Sequence, residues 1–289
     1  MHRLQLFTFS LVFLFTVNIS WGQDLDLLED DEEQTIPVSA TFKANRIING
    51  HSVEMVKKRE FDFKISHRFG FVNRGFYDLF GLDMATIRVG GDFGITDRIN
   101  VGIGRSTVEK TYDAFAKIKL LEQSTGAKSK PVSIVGISHM GINTLRWPNP
   151  NRENFFSSRL HYTHQLLIAR KMSDGFSAQL SANMVHLNLV DSMKFSNDIF
   201  SVGLGLRQKL TNRVTLNLEY FHTLTSAINP LSTNALSIGF DVETGGHVFQ
   251  LFFTNASAPY EKGFLSDTRG QWSNGDVRFG FNVTRMFSF

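Results

Sequence analysis

Serine and histidine side chains are the residues of this sequence that could support hydrolysis or metal binding. Ser138 and His139 lie within 136–141 (GISHMG), whose spacing differs from the G-x-S-x-G turn that exposes a nucleophilic serine. His161 and His164 lie three residues apart, so on a strand they face opposite sides and cannot share a metal ion or a substrate. We therefore predict that the chain is not an enzyme, holds no metal and uses no cofactor.

Charged side chains at alternating positions suggest a different chemistry, because they could line an aqueous passage. In residues 60–70, mostly apolar side chains occupy the odd positions and mostly polar ones the even positions, as in a strand with two unlike faces. The charged residues on the polar side of this and similar stretches are Asp62, Lys64, Arg68, Arg88, Asp92, Asp113, Lys117, Lys119, Arg159, Arg207, Glu219, Asp241 and Arg278. Eight of these are basic and five are acidic, which predicts a lumen with a slight excess of positive charge.

Twelve strands are predicted to position these side chains. The alternation is regular over 60–70, 85–95, 200–210, 214–220, 235–242 and 276–289, and looser over 99–107, 111–121, 131–140, 158–171, 176–189 and 247–256. In the stretch 176–189 the alternation changes phase after Met184, which predicts a bulge or an early end of that strand.

The connections between these strands alternate between short and long. The short links are 96–98, 122–130, 173–175, 211–213 and 244–246, and the long links are 70–84, 141–157, 190–198, 224–233 and 257–275. The link 108–110 is an exception, because it is short where a long one is expected. Outer-membrane barrels have short periplasmic turns and longer outer loops. The pattern therefore predicts an all-β fold, a single transmembrane antiparallel β-barrel of about twelve strands with both chain ends on the periplasmic side.

The beginning of the chain differs from the rest. Residues 1–22 have a basic start, an apolar middle and small residues near the end, which is typical of a cleaved signal peptide. A retained membrane helix is the alternative, but the apolar stretch is short for one. Residues 23–58 are predicted to be an acidic periplasmic segment or an inward-folded plug, and 59–289 the barrel. Residues 39–49 could form a further strand, but a thirteenth strand would have no partner.

Composition narrows the choice of protein class. Cysteine is absent, which excludes a disulfide framework and a thiol nucleophile. The net charge of +3 is too small to favour a nucleic-acid partner. A soluble sandwich also alternates, but the Gly, Ser, Asn, Arg and Asp residues on the polar side suit a water-filled lumen. The aromatic strand that contains Phe287 and Phe289 resembles the signal that barrel assembly machinery recognises.

Several segments resemble a known family. FKANRIINGHSVE (42–54), ISHRFG (65–70), LFGLDMATIRVGGDFGITDRINVGIGRS (79–106) and KTYDAFAKIKLLEQ (110–123) are similar to a Bacteroidota outer-membrane β-barrel family of unknown function. The resemblance implies a barrel in the bacterial outer membrane and implies no activity. It also suggests that residues 42–54 are more than a linker.

The lumen charges leave two functions open. If they stand apart, they line a pore or transporter for small solutes, with a preference for anions. If they pair across the barrel, the protein is a non-conducting barrel that anchors or scaffolds a periplasmic or cell-surface complex. A lipid-modifying enzyme that uses His67 or His164 is a third alternative. The expected partners are outer-membrane lipid, the barrel assembly machinery and a periplasmic partner of residues 24–58, but not nucleic acid.

Overall fold

The computed structural model describes residues 34–289, which contain a closed antiparallel β-barrel of twelve strands. In chain order the strands are β1 Glu60–Phe71, β2 Ala85–Thr96, β3 Ile99–Ser106, β4 Tyr112–Leu121, β5 Ser133–Ile142, β6 Leu160–Lys171, β7 Phe176–Leu187, β8 Asp198–Lys209, β9 Val214–Thr223, β10 Leu236–Thr244, β11 His247–Thr254 and β12 Arg278–Ser288. Each strand pairs with its sequence neighbours, and β12 pairs with β1 to close the sheet. The predicted fold class and strand number are confirmed. The predicted signal peptide at 1–22 lies outside the described residues.

The two faces of the barrel differ as the alternation predicts. On β8, Ser201 and Arg207 point inward and are 3% exposed, whereas Phe200 and Val202 point outward and are 48% and 44% exposed. An outward face of exposed apolar side chains is stable only when lipid surrounds it. Lipid offers no hydrogen bonds to the backbone, so the sheet must close on itself, and the pairing of β12 with β1 achieves this.

The two ends of the barrel carry different connections. At one end the turns are short, and Gly245 and Gly246 between β10 and β11 have φ values of 44° and 99°, which glycine adopts without strain. At the other end the loops are long and contain 3-10 turns and one α-helix, α1 (Glu261–Ser266), between β11 and β12. Outside the barrel sheet, Ile36–Pro37 pairs with Ser124–Thr125. Within residues 34–289, no helix is long and apolar enough to cross a membrane.

Of the two alternatives predicted for the phase change after Met184, the bulge is wrong, and the strand ends at Leu187, two residues before the predicted end at 189. Strand β7 pairs in unbroken register with both of its neighbours through that position. Val185 keeps the inward phase of Asn183 and is fully buried. It points inward because this part of the lumen holds an apolar cluster that includes Phe264 and Leu265 of the loop between β11 and β12. The phase change in the sequence therefore reflects what the inner wall contacts, while the backbone stays regular.

Residues 40–56 lie inside the barrel without joining its sheet, and we call them the plug. Phe42, Ile47, Ile48 and Val53 are 3% exposed or less. They belong to one apolar cluster with inward-facing wall residues, namely Phe115, Val135, Ile137, Leu167, Ala169 and Phe252. Burial of these apolar side chains favours the closed arrangement, at about 25 cal/mol for each Å² of apolar surface removed from water.

Candidate functional site in the barrel lumen

Glu219 of β9 holds the tip of the plug. Its two carboxylate oxygens accept hydrogen bonds from the backbone N–H groups of Asn49 and Gly50, each at 2.6 Å. A Cβ atom at Gly50 would lie 2.6 Å from Oε1 of Glu219 and 2.8 Å from the ring of Phe221, so a larger residue would displace one of these side chains. Glu219 therefore binds the plug and does not line a free passage.

Side-chain amides extend this contact along the barrel wall. Asn49 donates from Nδ2 to Oγ of Ser237 at 2.8 Å and accepts from Arg68 at 3.0 Å. Asn282 of β12 donates to the carbonyl of Ile48 at 2.9 Å. The plug tip is thus bonded to four strands along one arc of the wall, from β9 to β1, which fixes its position. Buried polar groups need such partners, since an unpaired one costs about 1–3 kcal/mol.

Basic side chains of the wall bind the backbone of the plug. Lys117 on β4 donates to the carbonyl of Glu54. Arg207 on β8 donates to the carbonyls of Ala40 and Thr41 at 3.0 and 3.1 Å. These cations are therefore occupied by carbonyl oxygens of the plug in the closed arrangement, and removal of the plug would leave them facing the lumen.

Other wall charges pair with one another. Arg88 on β2 and Asp113 on β4 form a two-pronged ion pair, with Nε 2.9 Å from Oδ1. Lys64 lies 3.5 Å from Asp92 and also donates to Asn45 of the plug. Ion pairs of this kind stay with the wall whatever the plug does, so they contribute little net charge to the lumen.

Glu261 of α1 is the centre of a buried charge cluster. Its carboxylate lies 2.8 Å from Arg46, 3.2 Å from His51 and 2.9 Å from His139. Arg46 and His51 belong to the plug, and His139 belongs to β5. Glu261 has no exposed surface, and Arg46 is 3% exposed. This cluster, which we call the latch, joins the outer loop, the plug and the wall.

Burial governs the protonation of the latch. Burial, together with the charge of Arg46, lowers the pKa of His51 to about 3, so its imidazole is neutral near pH 7. Burial alone would raise the pKa of Glu261, but Arg46 and His139 outweigh it and hold that pKa well below its ordinary value. The carboxylate is therefore ionised and balances the guanidinium of Arg46.

The loop that carries α1 folds into the outer half of the lumen. Phe264 and Leu265 are buried in the apolar cluster with Phe221. Near the rim, Glu109 accepts a hydrogen bond from Tyr260 at 3.0 Å and pairs with Lys262 at 2.8 Å. The plug and this loop meet at the latch, so the lumen is filled from both ends.

Comparison with known proteins gives this architecture a family. Residues 42–287 match the family described as membrane bound beta barrel domain (DUF5777). The chain belongs to this family. The match begins within the plug and ends in β12, so the DUF5777 domain includes both the plug and the barrel. No curated protein matches the chain.

Solved outer-membrane proteins share the fold of this DUF5777 barrel. The NanC porin is 5% identical, with 78% of this chain and 99% of that chain covered and a TM-score of 0.50. The KdgM porin is 9% identical, covering 80% and 99%, with a TM-score of 0.47. The COG4313 outer membrane channel from Pseudomonas putida F1 is 11% identical, covering 82% and 98%, with a TM-score of 0.47. The predicted location in the bacterial outer membrane is confirmed.

The predicted lumen residues divide into two groups in this DUF5777 barrel. The buried ones are Asp62, Lys64, Arg68, Arg88, Asp92, Asp113, Lys117, Arg207, Glu219 and Asp241. The half-buried ones are Lys119, Arg159 and Arg278. Lys119 pairs with Glu122 beside the short turns, and Arg159 donates to the carbonyls of Asn143 and Leu145 among the long loops. These rim residues border the entrances of the barrel.

Sequence reasoning missed the latch. Arg46, His51, His139 and Glu261 follow no shared motif, and they come from three separate parts of the chain. A weaker signal was available in β5 and β6, where IVGI (134–137) and LLIA (166–169) place apolar residues on both faces. Such runs indicate a strand that is buried on both faces. In a membrane barrel the inner face of a strand is buried only if another part of the protein fills the lumen.

A cavity of about 240 Å³ remains at the outer end of the DUF5777 barrel, between α1 and the long loops. Arg159, Lys262 and Asp191 line it together with His161 of β6. Most of its lining residues are polar or charged. Below it, the buried latch occupies the lumen, so passage across the barrel requires the plug or the loop to move.

Proposed function

We propose that the protein is an outer-membrane channel for small polar solutes whose own plug holds it closed. The observation that carries this proposal is that the plug fills the lumen without contributing a strand to the sheet. All twelve strands pair with one another, so the plug can leave without breaking the barrel. A removable segment in a closed barrel is the arrangement that a gated channel needs.

The charges of the wall support a preference for anionic solutes. Of the thirteen predicted lumen residues, eight are basic and five acidic, which leaves an excess of three positive charges (8 − 5). Lys117 and Arg207 bind only backbone carbonyls of the plug in the hydrogen bonds described above, so its departure would free them. The identity of the solute and the Bacteroidota origin of the chain stay predictions.

A non-conducting scaffold is the second candidate function, and the latch is the observation that favours it. A buried network that joins plug, wall and outer loop can serve to make the barrel rigid. Under this alternative, residues 24–58 or the outer loops would bind a partner. The barrel assembly machinery would recognise Phe287 and Phe289 under either candidate function. Lipid hydrolysis has less support, because Ser138 and His164 are cross-strand partners without a hydrogen bond between them in the described chain.

Planar-bilayer recording separates the two main candidates. The chain from residue 23 onward is compared with a chain that begins at Lys57 and lacks the plug. We expect the first to be closed with brief openings, and the second to conduct steadily with a reversal potential that favours anions. A chain that begins at Thr35 retains the plug and serves as the control. A plug-free barrel that is folded by circular dichroism but silent would contradict the channel and support the scaffold.

A further inference from the structure

The outer surface of the barrel has a groove of about 680 Å³ across β1 to β5. Its lining is almost entirely apolar and includes Phe63, Ile103 and Met140. The groove exists because Gly91 and Ala114, the outward-facing residues on either side of Ile103, are small. Ile103 is 70% exposed next to the small side chain of Ala114, while the ring of Phe61 covers Gly91.

The strand register gives the groove a direction. Phe63, Gly91, Ile103, Ala114 and Met140 are successive cross-strand partners, so they form one row perpendicular to the strands. Strands in such barrels tilt by about 35–45°. The row consequently climbs through the membrane, from near the periplasmic start of β1 to near the outer end of β5. An extended acyl chain has the shape and apolarity to lie along it.

A basic side chain borders the outer side of this row. The next row outward is Val89, Arg105, Tyr112, Ile142 and Leu160, again as successive partners. All of them except Arg105 line the groove. Arg105 is exposed near the outer end of β3, and its guanidinium lies 5.4 Å from the centre of the Tyr112 ring. Arg105 therefore places a positive charge at the depth where outer-leaflet headgroups lie.

We infer that this groove binds one anionic lipid of the outer leaflet. An acyl chain lies along Phe61, Ile103 and Ala114, and a phosphate of the headgroup accepts hydrogen bonds from Arg105. The guanidinium suits this role because its fork of N–H groups matches phosphate oxygens. The site is on the lipid-facing surface, so it is independent of whether the lumen conducts.

Native mass spectrometry of the chain from residue 23 onward, in detergent with added bisphosphorylated lipid A, tests the site. We expect one retained lipid A per barrel and about tenfold weaker retention for Arg105→Gln. Ala114→Leu fills the groove and should weaken retention to a similar extent. Ala116→Leu, also outward on β4 but outside the groove, and Arg170→Gln, exposed at the periplasmic end of β6, are the matched controls. Circular dichroism checks that each variant is folded.

Three results would overturn the inference. The first is equal retention of lipid A and its dephosphorylated form, and the second is equal effects of Ala114→Leu and Ala116→Leu. The third uses the absence of native cysteine: Ala114→Cys is introduced and oxidised in membranes. A disulfide-linked dimer would show that a second copy of the chain covers the groove. A monomer, together with lipid A retention that Arg105→Gln weakens, supports the lipid site.

Discussion

At the scale of single residues, Glu261 shows how a buried carboxylate can hold a plug inside a barrel. A carboxylate without exposed surface is stable only if its partners replace the water it has lost, and Arg46 and His139 lie within 2.8 and 2.9 Å of it. Glu261 contributes more to fixing one arrangement of plug, wall and loop than to the free energy of unfolding, because a buried ion pair is seldom more stabilising than an apolar pair of the same volume. Removing one partner is strongly destabilising, because the other charge is then buried without a counter-charge.

Glu261→Gln should therefore release the plug. Loss of the counter-charge of Arg46 should destabilise the closed arrangement by about 3–5 kcal/mol. Trypsin cleavage after Arg46, followed by mass spectrometry, measures the release, because this residue is 3% exposed while the plug is in place. Glu109→Gln is the control: it breaks the rim pair with Lys262, which should matter by less than about 1 kcal/mol. Equal cleavage of both variants would show that the latch does not hold the plug.

His51 should make the closed state sensitive to acid. Burial and Arg46 lower its pKa to about 3, whereas a released, hydrated imidazole titrates near 6.5. Between these values the released state binds the proton and the closed state does not, so closure weakens as pH falls from 6.5 towards 3. At pH 5 the loss is roughly 2 kcal/mol, at about 1.4 kcal/mol per pH unit.

The measurement is the open probability in bilayers at pH 7 and pH 5. The groups that face His51 are Arg46, Glu261 and Lys117. Glu261 adds a loss only below its ordinary pKa near 4.5, because its own pKa is held well below that value. His51→Gln stays neutral throughout, so it should reduce the rise in open probability between pH 7 and pH 5. An unchanged rise in this variant would assign the pH dependence to another group.

At the scale of elements, the strands were predictable, whereas the plug was predicted only as one of two alternatives and its contacts were not predictable. Alternation depends on side chains two residues apart, which sequence displays directly, and it located the strands of the barrel in Glu60–Phe71 and the eleven that follow. The plug has no regular alternation of apolar and polar residues, because its side chains point to different parts of a curved wall. Gly50 and Glu219 are 169 positions apart in the chain, and no local pattern encodes a contact at that separation.

A reversible crosslink tests whether movement of the plug opens the barrel. Asn49 of the plug donates to Ser237 of β10 at 2.8 Å, so Asn49→Cys with Ser237→Cys brings two thiols together in a chain that has no other cysteine. We expect oxidation to abolish openings and a reductant to restore them. Each single-cysteine variant is the control for loss of the hydrogen bond. Openings that persist in the fully oxidised protein would mean that solutes pass elsewhere.

At the scale of the whole molecule, the barrel separates two populations of charge. Arg88 and Asp113 pair within the wall, so they cancel whether or not the plug is present. Lys117 and Arg207 bind plug carbonyls, which carry no net charge. The electrostatic potential of an open lumen should therefore depend on Lys117 and Arg207, although all four residues are buried in the closed state.

Ion selectivity of the plug-free barrel that begins at Lys57 distinguishes these populations. Lys117→Gln and Arg207→Gln should each move the reversal potential in asymmetric salt towards zero, because each removes a cation that the missing plug has exposed. The double variant Arg88→Gln with Asp113→Asn removes one charge of each sign from the wall and should leave the potential nearly unchanged. If this double variant shifts the potential as far as Lys117→Gln does, the wall pair is open to ions and the lumen charge is not set by the residues that hold the plug. If only the plug-binding cations matter, the same side chains that close the channel also select what passes when it opens.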